Sequence, residues 1–204
     1  MRHNDEVNAT YTPLPTSHNL PRDWPNEPAV TTSSVTPELR NLLLSRRDRA
    51  HVMVMPRATP PASVNERDAE QTSTYADLDL LAVETLRRGG VDIKTLHGEG
   101  ERRVSAEFGA DVVIALGLFL AQAISEEEIL NIYRYVKARI WRARKQLAER
   151  DRKGDDVILA VDLLRVKEPN GTEIEVQGVR GPAEQTAELL REVLGYPGPN
   201  QRRD

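Results

Sequence analysis

The spacing of apolar side chains divides the chain into a periodic C-terminal part and an aperiodic front. From residue 74 onward, apolar positions recur at helix or strand intervals. Thr74 followed by Leu78, Leu81, Val83 and Leu86 predicts a capped helix over 74–88, stopped by Gly89 and Gly90. Residues 91–96 alternate apolar and polar, as a half-buried strand does. Residues 112–120 are apolar nearly throughout and predict the second half of a helix over 104–123, buried on every side. Ser125 and Glu128 have capping-box spacing, and Ile129, Ile132, Tyr133, Val136, Ile140 and Leu147 carry one helical face to about residue 150.

The C-terminal third is the most regular. Residues 157–166, apolar at nearly every position except Asp162, read as a central strand. Asn170-Gly171 is the pair favoured in tight hairpin turns, and residues 173–176 alternate back as the returning strand. Gly181-Pro182 opens a last helix with Ala183, Ala187, Leu190 and Leu194 on one face.

The front has no such period. Nine of the thirteen prolines lie at or before Pro61, too dense for helix interiors or central strands. Residues 1–73 are therefore expected to be a largely extended or disordered Pro-rich arm, with a helix–strand island at 37–55. In that island Thr36 is the N-cap, Pro37 takes the first helical position, and residues 51–55 form a short strand. Residues 74–196 form the expected compact domain, and 197–204 a disordered C-terminus. The expected class is α+β: a small antiparallel sheet with a C-terminal β-hairpin, packed on two long helices and a terminal helix.

Composition narrows the chemistry. The chain has no cysteine, which excludes disulfides, thiolate metal sites and a cysteine nucleophile. His3, His18, His51 and His97 lie in four separate segments, so no catalytic residue, metal site or cofactor is expected. A rival enzyme reading would rest on the loop carrying His97, Glu99 and Glu101, which reads better as a connection. Asp77 and Asp79 suit the positive end of a helix dipole. The longest apolar run, 112–121, is far short of the roughly 20 residues that cross a bilayer. With no apolar core near Met1 of the kind a signal peptide needs, a cytoplasmic location is expected.

What remains points to binding. Val113, Leu116, Phe119 and Leu120 offer more apolar surface than two or three strands would cover, so a protein partner or a second copy is expected there. Trp24 is the large anchor of the arm. Between residues 134 and 153 nine cations face only Glu149 and Asp151. Arg139, Arg142, Arg144 and Lys145 are the candidate contacts for an anion or nucleic acid, with Trp141 expected to pack beside the apolar seam. A net charge of −4 does not favour nucleic acid as partner, and a solvated face or one matched to an acidic subunit surface is preferred.

In order, the pieces at 91–96, 110–123, 125–150 and 157–179, and the closing Leu189-Leu190-Arg191-Glu192-Val193-Leu194, resemble the effector-associated constant components of bacterial conflict systems. That family shows a short strand, an apolar helical stretch, a long basic helix, a hairpin and a last helix. The resemblance implies a non-catalytic adaptor that couples an effector to a sensor or NTPase partner. The long Pro-rich front departs from it and would also suit a structural subunit whose arm ties neighbours together.

Overall fold

In a computed structural model of the chain, the structure describes residues 25–57, 73–105, 113–149, 157–166 and 173–195. In chain order they form β1 (Ala29–Ser34), α1 (Pro37–Arg46), β2 (Val52–Val54), β3 (Ser73–Ala76), α2 (Asp77–Arg88), β4 (Ile93–Thr95), β5 (Arg102–Ser105), β6 (Val113–Leu120), α3 (Glu126–Ala148), β7 (Ile158–Val166), β8 (Ile174–Pro182) and α4 (Ala183–Val193). The class is α+β. One mixed sheet has the order β1-β8-β7-β6-β2-β4, and β3 and β5 make a separate parallel pair.

The largest departure from expectation is β6. Its sequence, Val-Ile-Ala-Leu-Gly-Leu-Phe-Leu, is apolar all round, which suits either a buried helix or a strand covered on both faces. Here it is a strand. It runs parallel to β7, from Val113 opposite Ile158 to Leu120 opposite Arg165, and antiparallel to β2. Ile114, Leu116, Leu118 and Leu120 join a core shared with α2, α3 and α4, while Phe119 packs on the other face with Leu43 of α1. Leu116, Phe119 and Leu120 are thus buried within the chain's own core and Val113 is half-buried, which removes the basis for a partner groove on this segment. One long helix, α3, therefore remains where two were expected, and the sheet is mixed and six-stranded rather than small and antiparallel.

The expected boundary at residues 73–74 also fails, because the sheet cannot be completed without the earlier strands. β2 lies in the sheet between β6 and β4, and β1 pairs antiparallel with β8 from Ala29 opposite Arg180 to Ser34 opposite Glu175. The island at 37–55 folds locally as expected. The Thr36 hydroxyl accepts from the Leu39 N–H at 3.3 Å, Pro37 opens α1, and Val52–Val54 is a strand. Met53 and Met55 share one face of it, in the core under α1. The island is an integral part of the sheet rather than an interruption of an arm. Trp24 and residues 197–204 lie outside the described residues.

α2 begins at Asp77, three residues after the expected cap, since residues 73–76 are drawn into pairing with β5. Its inward face is Ala82, Val83 and Leu86, and Leu81 is exposed. α3 matches its expected seam: Ile129, Ile132, Val136, Ile140 and Leu147 are buried, and Ser125 and Glu128 form the reciprocal cap. Over 23 residues it spans about 34 Å. β7 and β8 pair antiparallel with Val166 opposite Ile174; the Asn170-Gly171 turn between them lies outside the described residues. α4 buries Ala183, Ala187, Leu190 and Leu194 as its spacing predicts. Gly181 must be glycine: its φ is +146°, and a Cβ there would stand 2.9 Å from the Glu27 carbonyl oxygen and 3.0 Å from the Pro28 Cα.

Candidate functional site

The two ends of the main sheet are protected differently. β4 is three residues long and exposes Lys94, both of which discourage pairing with another chain. β1 is six residues, Ala-Val-Thr-Thr-Ser-Ser, with no charge and no proline inside it. It is largely exposed, Val30 included, and no described strand pairs with its outer side. Its outward N–H and C=O groups therefore form a ready template for one more strand.

The cations of α3 are sorted by the helices beside it. Towards α4, Lys137 pairs with Glu184, Arg144 donates to Glu184 Oε1 at 2.8 Å, and Tyr133 donates to Glu188. The acidic surface expected to match this face is thus the chain's own last helix. Arg139 is buried, at 9% exposure, and bonds to the Tyr135 hydroxyl. Arg142 and Lys145 are exposed, and Lys145 lies 5.7 Å from the centre of the Trp141 ring. Trp141 is 64% exposed and does not pack into the seam, because position 141 falls between the inward positions 140 and 143. Of the four predicted contacts, Arg142 and Lys145 remain at the surface while Arg139 and Arg144 are engaged in the fold.

A recess of about 260 Å³ opens on the opposite flank, between the end of α2 and α3. Arg134, Arg139 and Arg142 line it together with Asn131, Tyr135 and Gly89, and no carboxylate among the described residues does. Asn131 fixes the helix pair by donating to the Gly89 carbonyl at 2.6 Å. Burial pushes the Tyr135 hydroxyl up from its ordinary range, against the opposing Arg139 charge and hydrogen bond, so the ring stays neutral.

The loop of the rival enzyme reading is held by specific bonds. The buried Tyr75 hydroxyl accepts the His97 backbone N–H at 3.1 Å and lies 2.9 Å from His97 Nδ1. The hydroxyl can accept two bonds and donate one, so it donates to Nδ1 where the neutral imidazole carries its proton on Nε2. Burial holds His97 below its ordinary pKa, helped by the Arg46 charge, and burial likewise pushes Tyr75 up to about 12. Glu101 is bound by Arg46 at 2.8 Å, which holds its carboxyl down to about 2. Glu99 is exposed; it and His97 line a cleft of about 470 Å³ with Arg49, Arg87, Lys94 and Arg102.

A depressed folded-state pKa makes the neutral imidazole part of the fold's stability. That contribution is complete above the ordinary value near 6.5 and is lost as pH falls through the lower folded value. Urea titrations between about pH 7.5 and 5.5 should show stability falling on acidification, with a shallower fall in His97→Asn. Equal slopes in parent and variant would show that His97 titrates alike folded and unfolded.

One buried charge pair and one buried carboxylate with a half-exposed partner escape sequence reading. Arg57 grips Asp79 through Nε at 2.8 Å and Nη2 at 2.6 Å, and Nη2 also donates to the Ala115 carbonyl of β6. Both side chains are almost fully buried, at 4% and 2% exposure. Asp162, on β7, is 1% exposed and meets Arg180 at 3.2 Å. Burial pushes its carboxyl up, against the Arg180 charge, and its Oδ2 has no hydrogen-bond partner among the described residues. Its neighbours across the sheet are Gly117 and Gly178. A Cβ at Gly178 would come within 2.7 Å of the Thr31 hydroxyl and 3.1 Å of Asp162 Oδ1, so the glycine makes room for the carboxylate.

Among the described residues no cluster of three or more His, Asp or Glu has metal-holding geometry, and no helix is long and apolar enough to cross a membrane. Comparison with protein-family models gave no match, and neither the curated proteins nor the solved structures contain a significant one.

Proposed function

We propose that the protein is a non-catalytic interaction subunit of adaptor type, which receives a strand of a protein partner on the outer edge of β1. The observation that carries this reading is the contrast between the sheet's two edges. β4 is short and bears a lysine, whereas β1 is long, flat in chemistry and uncharged. Strand addition derives affinity from main-chain hydrogen bonds and selectivity from alternate side-chain contacts, here Val30 and its neighbours. The adaptor role in a bacterial multi-protein effector system follows the resemblance of residues 91–194 to effector-associated constant components. β6 departs from that resemblance, being a strand where the family has an apolar helical stretch.

Proline supplies the test, because it deletes one N–H and little else on an edge. Thr32→Pro and Ser33→Pro sample the two alternating N–H directions of the strand. The variant whose N–H points outward keeps the β8 ladder and melts within about 2 °C of the parent, less than about 1 kcal/mol for a chain of this size. That variant should recover the co-purifying partner at least about tenfold less well, with β1 amides no longer protected from hydrogen exchange in the complex. Undiminished recovery, with β1 still exchanging freely, would remove the reading.

A further inference from the structure

A cation bonded to a carboxylate is neutralised, whereas one bonded to a main-chain carbonyl is oriented and keeps its charge. The cleft beside β4 is built mainly from the second kind. Lys94 Nζ donates to the Arg49 carbonyl at 2.8 Å, Arg49 Nη1 to the Leu96 carbonyl at 3.3 Å, and Arg87 Nη2 reaches the Ile93 carbonyl at 3.5 Å. None of these three cations forms an ion pair with a described carboxylate. Arg102 is the fourth. It bonds to the Thr95 hydroxyl at 3.4 Å and stands 3.5 Å from Glu99, whose side chain is 91% exposed. The other carboxylate of the lining, Asp92, accepts the His51 N–H at 3.2 Å. Four cations against two carboxylates leave two positive charges in excess, and His97, held neutral by burial, adds none. Holding that excess around one concavity is unfavourable until an anion enters.

We infer that the cleft beside β4 binds a small phosphate monoester, its phosphate held by the exposed Arg49, Arg87 and Lys94 and the half-buried Arg102. The charge excess selects the class of ligand. A phosphate monoester carries about 1.5–2 negative charges at pH 7, whereas a single carboxylate brings only one. Planar guanidinium groups bind phosphate oxygens in pairs, and Lys94 adds a point charge. Beneath the cations the lining is apolar, with Val83 and Ile93 both buried. At about 470 Å³ the cleft falls within the range of ligand pockets, which leaves room beside the phosphate for an uncharged body over these two side chains. A nucleic-acid backbone fits less well, since it needs a continuous row of cations. Asp92 immediately precedes β4 and Glu99 follows it, so a carboxylate stands at either end of the group.

Titration calorimetry of the full chain with phenyl phosphate, inorganic phosphate and a single-stranded oligonucleotide, at low and moderate salt, separates these ligands. Phenyl phosphate should bind with a Kd of about 1 mM or tighter. Inorganic phosphate should bind more weakly, because it leaves Val83 and Ile93 uncovered. Arg49→Gln and Arg87→Gln should each weaken phenyl phosphate about fivefold or more, the effect of one lost charge-assisted bond. Both variants should melt with the parent, since both side chains are exposed and their carbonyl bonds are long. Glu99→Gln should tighten binding about twofold or more by removing the carboxylate that faces Arg102, a gain that a merely structural role would not give. Arg88→Gln, one position along α2 but paired with Glu84, should leave affinity nearly unchanged. The salt dependence should correspond to one or two counterions. Absence of phenyl phosphate binding, or equal loss in Arg88→Gln, would overturn the inference. So would oligonucleotide binding through the same residues with a steep salt slope. None of these outcomes touches β1, so the strand-addition reading stands or falls separately.

Discussion

Replacing Asp79 by alanine is expected to destabilise the fold by about 3–5 kcal/mol, a large share of the roughly 5–15 kcal/mol that holds a domain together. The reason is what remains. Arg57 keeps its place beneath the sheet, its Nη2 bonded to the Ala115 carbonyl, but loses both carboxylate contacts in a site almost closed to water. The same carboxylate also accepts the Ala76 N–H at 3.1 Å and so caps α2. Removing both charges behaves differently, since an apolar pair of similar volume needs no compensation. Arg57→Met combined with Asp79→Leu should recover most of the loss. Urea melts of the two single variants and the double give the coupling directly. A single Asp79→Ala loss below about 1 kcal/mol would mean that water reaches the pair.

A glutamate placed at Leu116 should abolish folding, while the same residue at Trp141 should change stability by less than about 0.5 kcal/mol. Leu116 is 3% exposed, on a strand covered by helices, and a carboxylate there has no partner. Trp141 is 64% exposed, so substitution removes only its contact with Lys145. Circular dichroism and melting of the two variants distinguish a core strand from a surface helix. A folded, soluble Leu116→Glu variant would contradict the sheet order. Loss of solubility in this variant would not indicate self-association, because burial within the chain already explains it.

These two positions also mark where sequence is informative. α3 and α4 are legible because their apolar side chains recur at 3.6-residue spacing and their ends carry caps, both local properties. β8 is legible at a period of two, and β7, apolar at nearly every position, by the Asn-Gly turn signal that follows it in the sequence. β6 is not, since a segment buried on both faces has no period, and length alone must decide between helix and strand. β1 is hidden by its proline-rich surroundings, and β2 is legible as a short strand but not as a member of the sheet. Their partners, β8 and β6, lie far along the chain, so pairing rather than local preference gives them their places. The buried pair is illegible for a similar reason. Asp79 has a sufficient local explanation at a helix start, and Arg57 follows a proline in a polar stretch. Only the fold brings them within 2.6 Å. The rim of the recess, Arg134 and Arg142, belongs to the basic run visible in the sequence. Which flank stays charged depends on Glu184, some 40 residues later.

The pairing of β1 with β8 has a kinetic consequence. Ala29 meets Arg180, about 150 residues away, whereas between β7 and β8 Val166 meets Ile174, only eight positions on. Starting from the unfolded chain, closing the longer loop costs about 2–3 kcal/mol more in entropy. The hairpin therefore nucleates early and β1 docks late, after the last strand has been synthesised. Until it docks, the edge left open belongs to β8, whose Ile174, Val176 and Val179 become core in the finished fold. The hazard of mispairing during folding thus falls on a stickier edge than the one the native protein presents.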